Sequence, residues 1–323
     1  MEAAFKTRAD SRQAFAKAGE ETPAIPINVD LELSSICSAN CPFCHFGGAE
    51  HPAFLAQKLS DGKPKGRFMP PAMAFKIIDE CREIGVPVLK MNSRGESGIH
   101  PSYSEILSYA ARDSKFHDIL INTHGDLPRA SWLGVFMATK VMISLDSLRP
   151  ETHARMRAGL DLDNVKTLIR YLLEQEHPNV WLRRVVTKLN KDEPFFEDCR
   201  REFPGVKVSE HACFDRNEKE SHSTEPIDKS WPRRYCGQPS WRLTVRSNGD
   251  IVPCCVTWED ELIMGHYPED SLLSVWRGEK MATLRGQLKA GIFRAEICKN
   301  CTSYSAYDRP ERKFLQDLEG VKI

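Results

Sequence analysis

From Pro26 onward, short runs of β-branched and apolar residues alternate with longer stretches whose apolar positions recur every three or four residues. The short runs predict strands over Ile27–Leu33, Val88–Met91, Asp118–Asn122, Lys140–Ser144, Val180–Val186 and Val206–Ser209. Between them, helical periodicity covers Ala72–Ile84, Tyr103–Ala111, Ala130–Ala138, Glu151–Met156, Asn164–Glu174 and Glu193–Phe203. Strands separated by helices make parallel β/α units, and their right-handed crossovers curl six of them into an α/β fold, a partial (β/α)6 TIM-like barrel. Such barrels carry their chemistry where strands end and loops begin. Residues 1–25 predict a short charged helix stopped by Pro23 and Pro26, an N-terminal extension without chemistry. A polar stretch over 217–230 (NEKESHSTEPIDKS) reads as a linker. Beyond it the pattern changes to a hairpin, Trp241–Arg246 and Asp250–Pro253 across Ser247-Asn248-Gly249, then a helix from Leu272 to Lys289. The expected organisation is an extension (1–25), a barrel (26–222) and a small C-terminal α+β domain (223–323).

Composition narrows the function classes. The 323 residues, 41% hydrophobic and 28% charged, are those of an ordinary globular protein of about two domains. Lys+Arg and Asp+Glu both number 45, so binding to nucleic acid through phosphates gets no support from net charge. No apolar run is long enough to span a membrane, and Met1–Glu21 lacks the apolar core of a signal peptide, so a soluble, cytoplasmic protein with no membrane partner is expected. Eleven cysteines, an odd number without an export signal, point to metal binding over disulfides.

Cys37, Cys41 and Cys44 form C-x3-C-x2-C directly after the first predicted strand. Thiolates are the ligands of iron–sulfur clusters, and three of them on a four-iron cube leave one iron open. The alternatives are a conventional four-cysteine cluster and a zinc site completed by His45, although adjacent Cys44 and His45 converge poorly on one tetrahedral ion. The octet C-S-A-N-C-P-F-C, with Phe43 before the last cysteine, resembles the radical S-adenosylmethionine (SAM) superfamily. Ser93-Arg94-Gly95-Glu96 is similar to the Gly-Gly-Glu segment that holds the SAM amino group, with Arg94 in place of the first glycine. Ile121–Gly125 resembles the turn after strand three. Ser144-Leu145-Asp146-Ser147, with Arg155 and Arg157 downstream, resembles the segment whose serine and arginine approach the SAM carboxylate and ribose. The resemblance spans residues 27–210. It implies a SAM-binding [4Fe-4S] cluster on the three cysteines, and SAM contacts from Phe43, Gly95, Glu96, Ser144 and Arg157. Reductive cleavage of SAM would then give methionine and a 5′-deoxyadenosyl radical, with the electron coming from an external donor such as flavodoxin or ferredoxin.

Cys236 and Cys254 flank the predicted hairpin, and Cys298-x2-Cys301 follows the predicted helix. Four thiolates on two arms suit an iron–sulfur centre or a zinc ribbon. The arrangement C-x12-G-x4-C followed by C-x2-C resembles the auxiliary-cluster domain behind radical SAM barrels, in its shorter "twitch" form related to SPASM. That implies one auxiliary [4Fe-4S] cluster on Cys236, Cys254, Cys298 and Cys301, with Cys255 as the alternative to Cys254. Cys81 and Cys199 lie in apolar helical patterns and read as core. Cys213 and Cys255 are candidate hydrogen-atom donors near a substrate.

His45, His124, His211 and His266 read as isolated surface or hydrogen-bonded histidines, and Arg309–Lys313 as a solvated charged face. Of Arg183 and Arg184 on strand five, one points into the barrel, where it suits a substrate carboxylate or hydroxyl, and the other faces the helices. Glu210 and His211 end strand six and are further candidates. The expected function is a radical SAM oxidoreductase or epimerase that abstracts hydrogen from a small polar substrate, a sugar or aminocyclitol-like molecule. The competing readings are a maturase of ribosomally made peptides, a nucleotide or nucleic-acid modifying enzyme, and a non-enzymatic zinc-binding module.

Overall fold

The computed structural model describes residues 5–17, 21–44, 67–213, 236–257, 260–299 and 301. The predicted linker over 217–230 with the boundary at 222, His45 and Arg309–Lys313 lie outside them. Helix α1 (Arg8–Lys17) precedes β1 (Asn28–Leu31), which is followed by α2 (Pro71–Ile84), β2 (Val88–Lys90), α3 (Tyr103–Ala111) and β3 (Asp118–Thr123). Then come α4 (Trp132–Met137), β4 (Lys140–Ser144), α5 (Pro150–Met156), α6 (Leu162–Glu174), β5 (Val180–Val186), α7 (Phe195–Glu202) and β6 (Lys207–Ala212). The C-terminal part holds β7 (Arg242–Val245), β8 (Asp250–Val252), β9 (Gly265–His266), α8 (Leu272–Arg277), α9 (Glu279–Lys289) and α10 (Glu296–Lys299).

The nine strands among the described residues form one sheet in the order β6-β5-β4-β3-β2-β1-β7-β8-β9. The first six are parallel, the partial barrel the sequence predicts, with β6 at one edge. The predicted hairpin forms, but β7 also pairs in parallel with β1, Asn28 opposite Arg242 through Leu31 opposite Val245. The C-terminal hairpin therefore continues the barrel's own sheet.

Strand alternation divides the sheet into two faces. Val29, Leu31, Leu89, Ile119, Ile121, Val141, Ile143, Val180, Leu182 and Leu243 are buried under the helices. The residues between them, among them Asp30, Asn122, Ser144, Arg183 and Thr244, face the lumen. Helix α6 shows how the covering layer is specified: Leu162, Val165, Leu168, Ile169 and Leu172 bury one stripe, and the Asp161 side chain caps the first turn by accepting from the Asp163 amide. Each fully buried Leu or Ile contributes about 1.5–3 kcal/mol of transfer free energy.

Two predicted elements differ. The single helix expected over Leu272–Lys289 is two, because Gly278 is extended (φ −67°, ψ 157°), ending α8 and starting α9. A side chain at Gly278 would meet the Ser274 carbonyl oxygen at 2.9 Å, so the corner needs glycine. Strand β6 runs on to Ala212, paired with Val186, so Glu210 and His211 lie within the strand and not at its end.

Candidate functional site

The loop Cys37–Cys44 leaves β1 and is fastened from three sides. The Ser38 hydroxyl lies 3.0 Å from His124 Nε2, beyond the end of β3. The Asn40 amide donates to the Ala158 carbonyl at 2.7 Å. On the third side the Glu96 amide donates to the Ile36 carbonyl at 2.8 Å, and Gly95 packs so closely that a Cβ there would stand 2.6 Å from the carbonyl oxygens of Ser34 and Ile36. Gly95 also has φ +62°, so both the contact and the backbone require glycine. Within the loop, Cys44 donates its amide to the Cys41 carbonyl, and the Ala39 amide points at Cys37 Sγ at 3.4 Å.

Burial pushes the Cys37 thiol up to about 12, with Glu96 and the neighbouring Cys41 and Cys44 adding repulsion. Cys41 is raised too, again by burial, against the pull of Arg157, whose Nη1 lies 3.5 Å from its sulfur. Burial disfavours thiolates here unless a cationic metal centre balances them. Arg157 also donates from Nε to Asp146 Oδ2 at 2.6 Å, and its guanidinium sits 5.2 Å from the centroid of the Phe43 ring. Burial opposes its charge, but Asp146 and Cys41 more than offset that, holding its pKa above the ordinary arginine value. Asp146 adopts the left-handed backbone (φ +59°) and is fully buried, with Oδ1 accepting from the Val185 amide and its carbonyl from Asn190 Nδ2. Non-glycine residues in that region are uncommon and cluster at functional sites.

Glu96, buried in an extended conformation, starts the short 3-10 helix Ser97–Ile99. Its two oxygens accept from the amides of Gly98 (2.9 Å) and His124 (2.8 Å), which set its orientation, and the His124 Nε2 lies 3.6 Å from Oε2. His124 is the hydrogen-bonded of the two kinds of histidine the sequence allows, and it is not at the surface. It is buried, and because its Nδ1 accepts from the Asp126 amide its ring proton sits on Nε2; burial lowers its pKa against the opposing pull of Glu96.

Arg94 fills the place of the missing glycine with a buried ion pair. Its Nε and Nη2 donate to the two oxygens of Glu32 at 2.7 and 2.8 Å, and Glu32 also accepts from the amide and hydroxyl of Ser247 after β7. Burial raises the Glu32 carboxyl, but Arg94 and its hydrogen bonds prevail and hold it below the usual glutamate value. A second buried pair, Asp30 with Arg242 at 3.1 Å, also ties β1 to β7. Neither pair was singled out from sequence, although the alternation Val29-Asp30-Leu31-Glu32-Leu33 signals a strand with one polar face.

In the C-terminal part, Cys236, Cys254, Cys298 and Cys301 line one cavity, together with apolar neighbours including Pro253, Leu262, Leu284 and Phe293. Burial, with Cys255, Cys236 and Cys301 nearby, pushes the Cys254 thiol well up. Gly249 turns the hairpin (φ +95°), where a Cβ would stand 2.5 Å from the Tyr267 carbonyl oxygen. Cys255 is not among the cavity's lining residues: its sulfur lies 2.8 Å from Arg242 Nη1, the guanidinium paired with lumen-facing Asp30. Among the described residues no three His, Cys, Asp or Glu side chains converge at the spacing of a single metal ion. The donor chemistry of both sets fits four-iron clusters, three thiols on one loop, Cys41 buried and Cys37 and Cys44 half-buried, and four around one apolar cavity.

The other candidates divide between the two faces. Arg183 stands opposite Ser209 on the lumen face, with Nε 3.4 Å from its hydroxyl. Arg184 and Glu210 pair with each other at 2.7 Å on the opposite face, where Arg184 also donates to the carbonyls of Asn190 and Glu193. Glu210 is thus not brought to Arg183. Cys213 is buried, and its amide extends the β6 pairing to Val186, which puts it on the same face as Ser209. Ser144 lies opposite Arg183 across β4 and β5. Cys81 and Cys199 are core.

Residues 31–200, just over half of the chain, match the Radical SAM superfamily, and residues 236–302 match SPASM, an iron–sulfur cluster-binding domain. The chain is 30% identical over 81 residues to the S-adenosyl-L-methionine-dependent 2-deoxy-scyllo-inosamine dehydrogenase of Niallia circulans, covering 25% of this chain and 32% of that protein. It is 23% identical to AlbA, the antilisterial bacteriocin subtilosin biosynthesis protein of Bacillus subtilis, over 92% of this chain and 69% of that one. Its fold is similar to BtrN in complex with AdoMet and 2-DOIA, with a TM-score of 0.56 at 15% identity, over 87% of this chain and 94% of that one.

Proposed function

Because the chain belongs to the radical SAM superfamily and carries a SPASM iron–sulfur domain behind its barrel, we propose that it oxidises or epimerises a small polar molecule bound in the lumen. Cys37, Cys41 and Cys44 would hold the SAM-binding cluster, and Cys236, Cys254, Cys298 and Cys301 the auxiliary one. When bound, these groups supply one-electron cleavage of SAM to a radical able to remove an unactivated hydrogen, and an acceptor for a second electron. The chain's own residues bind and orient. Glu96, fixed by two amides, presents a carboxylate beside Cys37 to an ammonium group. Arg157 offers its remaining donors to a carboxylate or ribose beside Cys41, with Ser144 on the adjoining strand end. Gly95 lets the two loops close and limits water around the sulfurs.

The observation that carries the reading is the convergence of Glu96 and Arg157 on the cysteine loop, Glu96 beside Cys37 and Arg157 beside Cys41 and the Phe43 ring. The small-molecule substrate is supported by the likeness to the inosamine dehydrogenase in sequence and to BtrN in fold. Cys255 beside Arg242, and Cys213 just after β6, are the thiols we assign as candidate hydrogen-atom donors. Product analysis separates the two outcomes. Net two-electron oxidation of the substrate supports dehydrogenation, and one deuterium gained from heavy water with no redox change supports epimerisation by a thiol. A second reading, modification of a peptide, is favoured by the alignment with AlbA over nearly all of this chain. Anaerobic reaction with a candidate precursor peptide, followed by a mass change of the peptide, would select it.

A further inference from the structure

Three cations share the lumen face of β4, β5 and β6 around one indole. Lys140 Nζ lies 4.6 Å and Lys207 Nζ 5.6 Å from the centroid of the Trp181 ring, and Arg183 follows two residues along the same strand face. Trp181 stands opposite Lys207 and Arg183 opposite Ser209, so the cations form a column from the barrel floor up to the level of Ser144. Same-face steps along a strand are about 6.6–6.8 Å; Lys207 lies one step below Arg183 and Lys140 two, but the Lys140 side chain reaches up to the Trp181 ring one step below Arg183, so a ligand with two anionic ends can meet both.

No carboxylate among the described residues lies within ion-pair distance of the three. The acids of this face are already taken: Asp30 by Arg242, Glu32 by Arg94, and Asp118, which faces Lys140, by Arg8 at 3.3 Å. Among the described residues Lys207 donates to the Asn179 side-chain oxygen at 2.9 Å and Arg183 to the Ser209 hydroxyl at 3.4 Å, neither of them an acid. The chain as a whole is electrically neutral, so this surplus is local. Burial lowers the Lys140 pKa, and Arg183 and Lys207 lower it further, with Asp118 opposing; burial lowers Arg183 as well. Lys207 is exposed, but Lys140 and Arg183 are half-buried, and like charges in such a space are unfavourable unless an anion joins them.

Resting on the lumen-substrate reading above, we infer that the substrate is an anion whose carboxylate or phosphate group is received by Arg183 and Lys140, with Trp181 as the shelf beneath it. The planar guanidinium suits two anionic oxygens at once, and the ammonium adds a point charge below. An amino sugar, itself a cation, would bring a fourth positive charge to the column. The selection therefore runs against aminated and toward acidic or phosphorylated small molecules.

The test is calorimetric titration of the reconstituted, SAM-loaded holoenzyme with inorganic pyrophosphate, tricarballylate, myo-inositol and glucosamine. One anion binds, weakening as salt is raised, and the neutral and cationic probes do not. Arg183→Met and Lys140→Met each weaken that anion at least tenfold, and Arg183→Lys falls between. Whichever of pyrophosphate or tricarballylate binds identifies the phosphate or carboxylate class. A thermal scan of the same proteins guards against misfolding: without anion each Met variant melts at or above the wild-type temperature, and only the wild type gains stability when anion is added. Equal binding by wild type and Met variants, no anion binding by wild type, or preferred binding of glucosamine would overturn the proposal. SAM cleavage by the wild type, measured alongside, tests the activity reading separately. Its absence with anion binding intact would sink that reading and leave the subsite standing.

Discussion

The buried pair between β1 and the loop after β2 is the sharpest test of how this barrel is held. Arg94→Met removes the two side-chain donors that Glu32 accepts at 2.7 and 2.8 Å, leaving it the Ser247 amide and hydroxyl and the longer contact from the residue 94 amide at 3.3 Å. Charge-assisted hydrogen bonds contribute about 1.5–3 kcal/mol each, and breaking a buried ion pair from one side typically costs about 3–5 kcal/mol. For a chain of this size that is a drop of roughly 6–10 °C in Tm, taking about 2 °C per kcal/mol. The dependence on pH is equally diagnostic. In the wild type the Glu32 carboxyl is depressed, so its contribution is complete above the ordinary glutamate pKa and is lost as pH falls toward the lower folded value. In Arg94→Met, burial, the largest influence on Glu32, outweighs the Ser247 hydrogen bonds and the Arg246 charge that remain and raises its pKa, so protonation relieves the variant and the stability gap narrows as pH falls from 7.5 to 5. Replacing both partners, Glu32→Leu with Arg94→Met, recovers most of the loss. Calorimetric scans of the anaerobic holoprotein at one scan rate measure all three. A single variant within 1 °C of wild type at pH 7.5, or a gap that widens on acidification, would refute the reasoning.

Other outcomes follow from the same geometry. Replacing Cys37, Cys41 and Cys44 together with Ala abolishes SAM cleavage and leaves about four irons per chain, the content of one remaining cube, by iron assay. Cys254→Ala lowers the iron content by about four per chain, whereas Cys255→Ala, whose sulfur faces Arg242 outside the cavity, retains it. Gly95→Ala drives a methyl group to 2.6 Å from two carbonyl oxygens of the cysteine loop, so iron content and SAM affinity fall together in reconstituted protein. Arg157→Leu deprives Asp146 of its cation and weakens SAM binding at least tenfold by equilibrium dialysis, with iron content as the control for the loop.

The β/α alternation was readable because strand and helix leave different periods in the chain, and the two cysteine sets because cluster ligands need few residues at short spacing. What was not readable depends on partners distant in sequence. Nothing near Arg94 announces that Glu32 and Ser247 will surround it, and nothing near Asn28 announces Arg242 as its neighbour. The orientation of Arg183 and Arg184 was left as an alternative by strand alternation, and only the packing of β5 under α7 settles which one faces the lumen. Cys254 and Cys255 posed the same problem, adjacent residues that end on different sides of one turn. The break at Gly278 was hidden because apolar residues on both sides keep helical spacing.

The parallel pairing of β1 with β7 also sets a clock on the ribosome. The strand that completes the β1 edge is made about 210 residues later, which at 5–20 residues per second is a delay of roughly 10–40 s. During that interval the nascent barrel has a bare edge and lacks Arg242 and Ser247, the groups that later quiet its buried acids. The loop with Cys37, Cys41 and Cys44 emerges at the start of the same interval, so its three thiols are made well before the strand that closes the neighbouring edge.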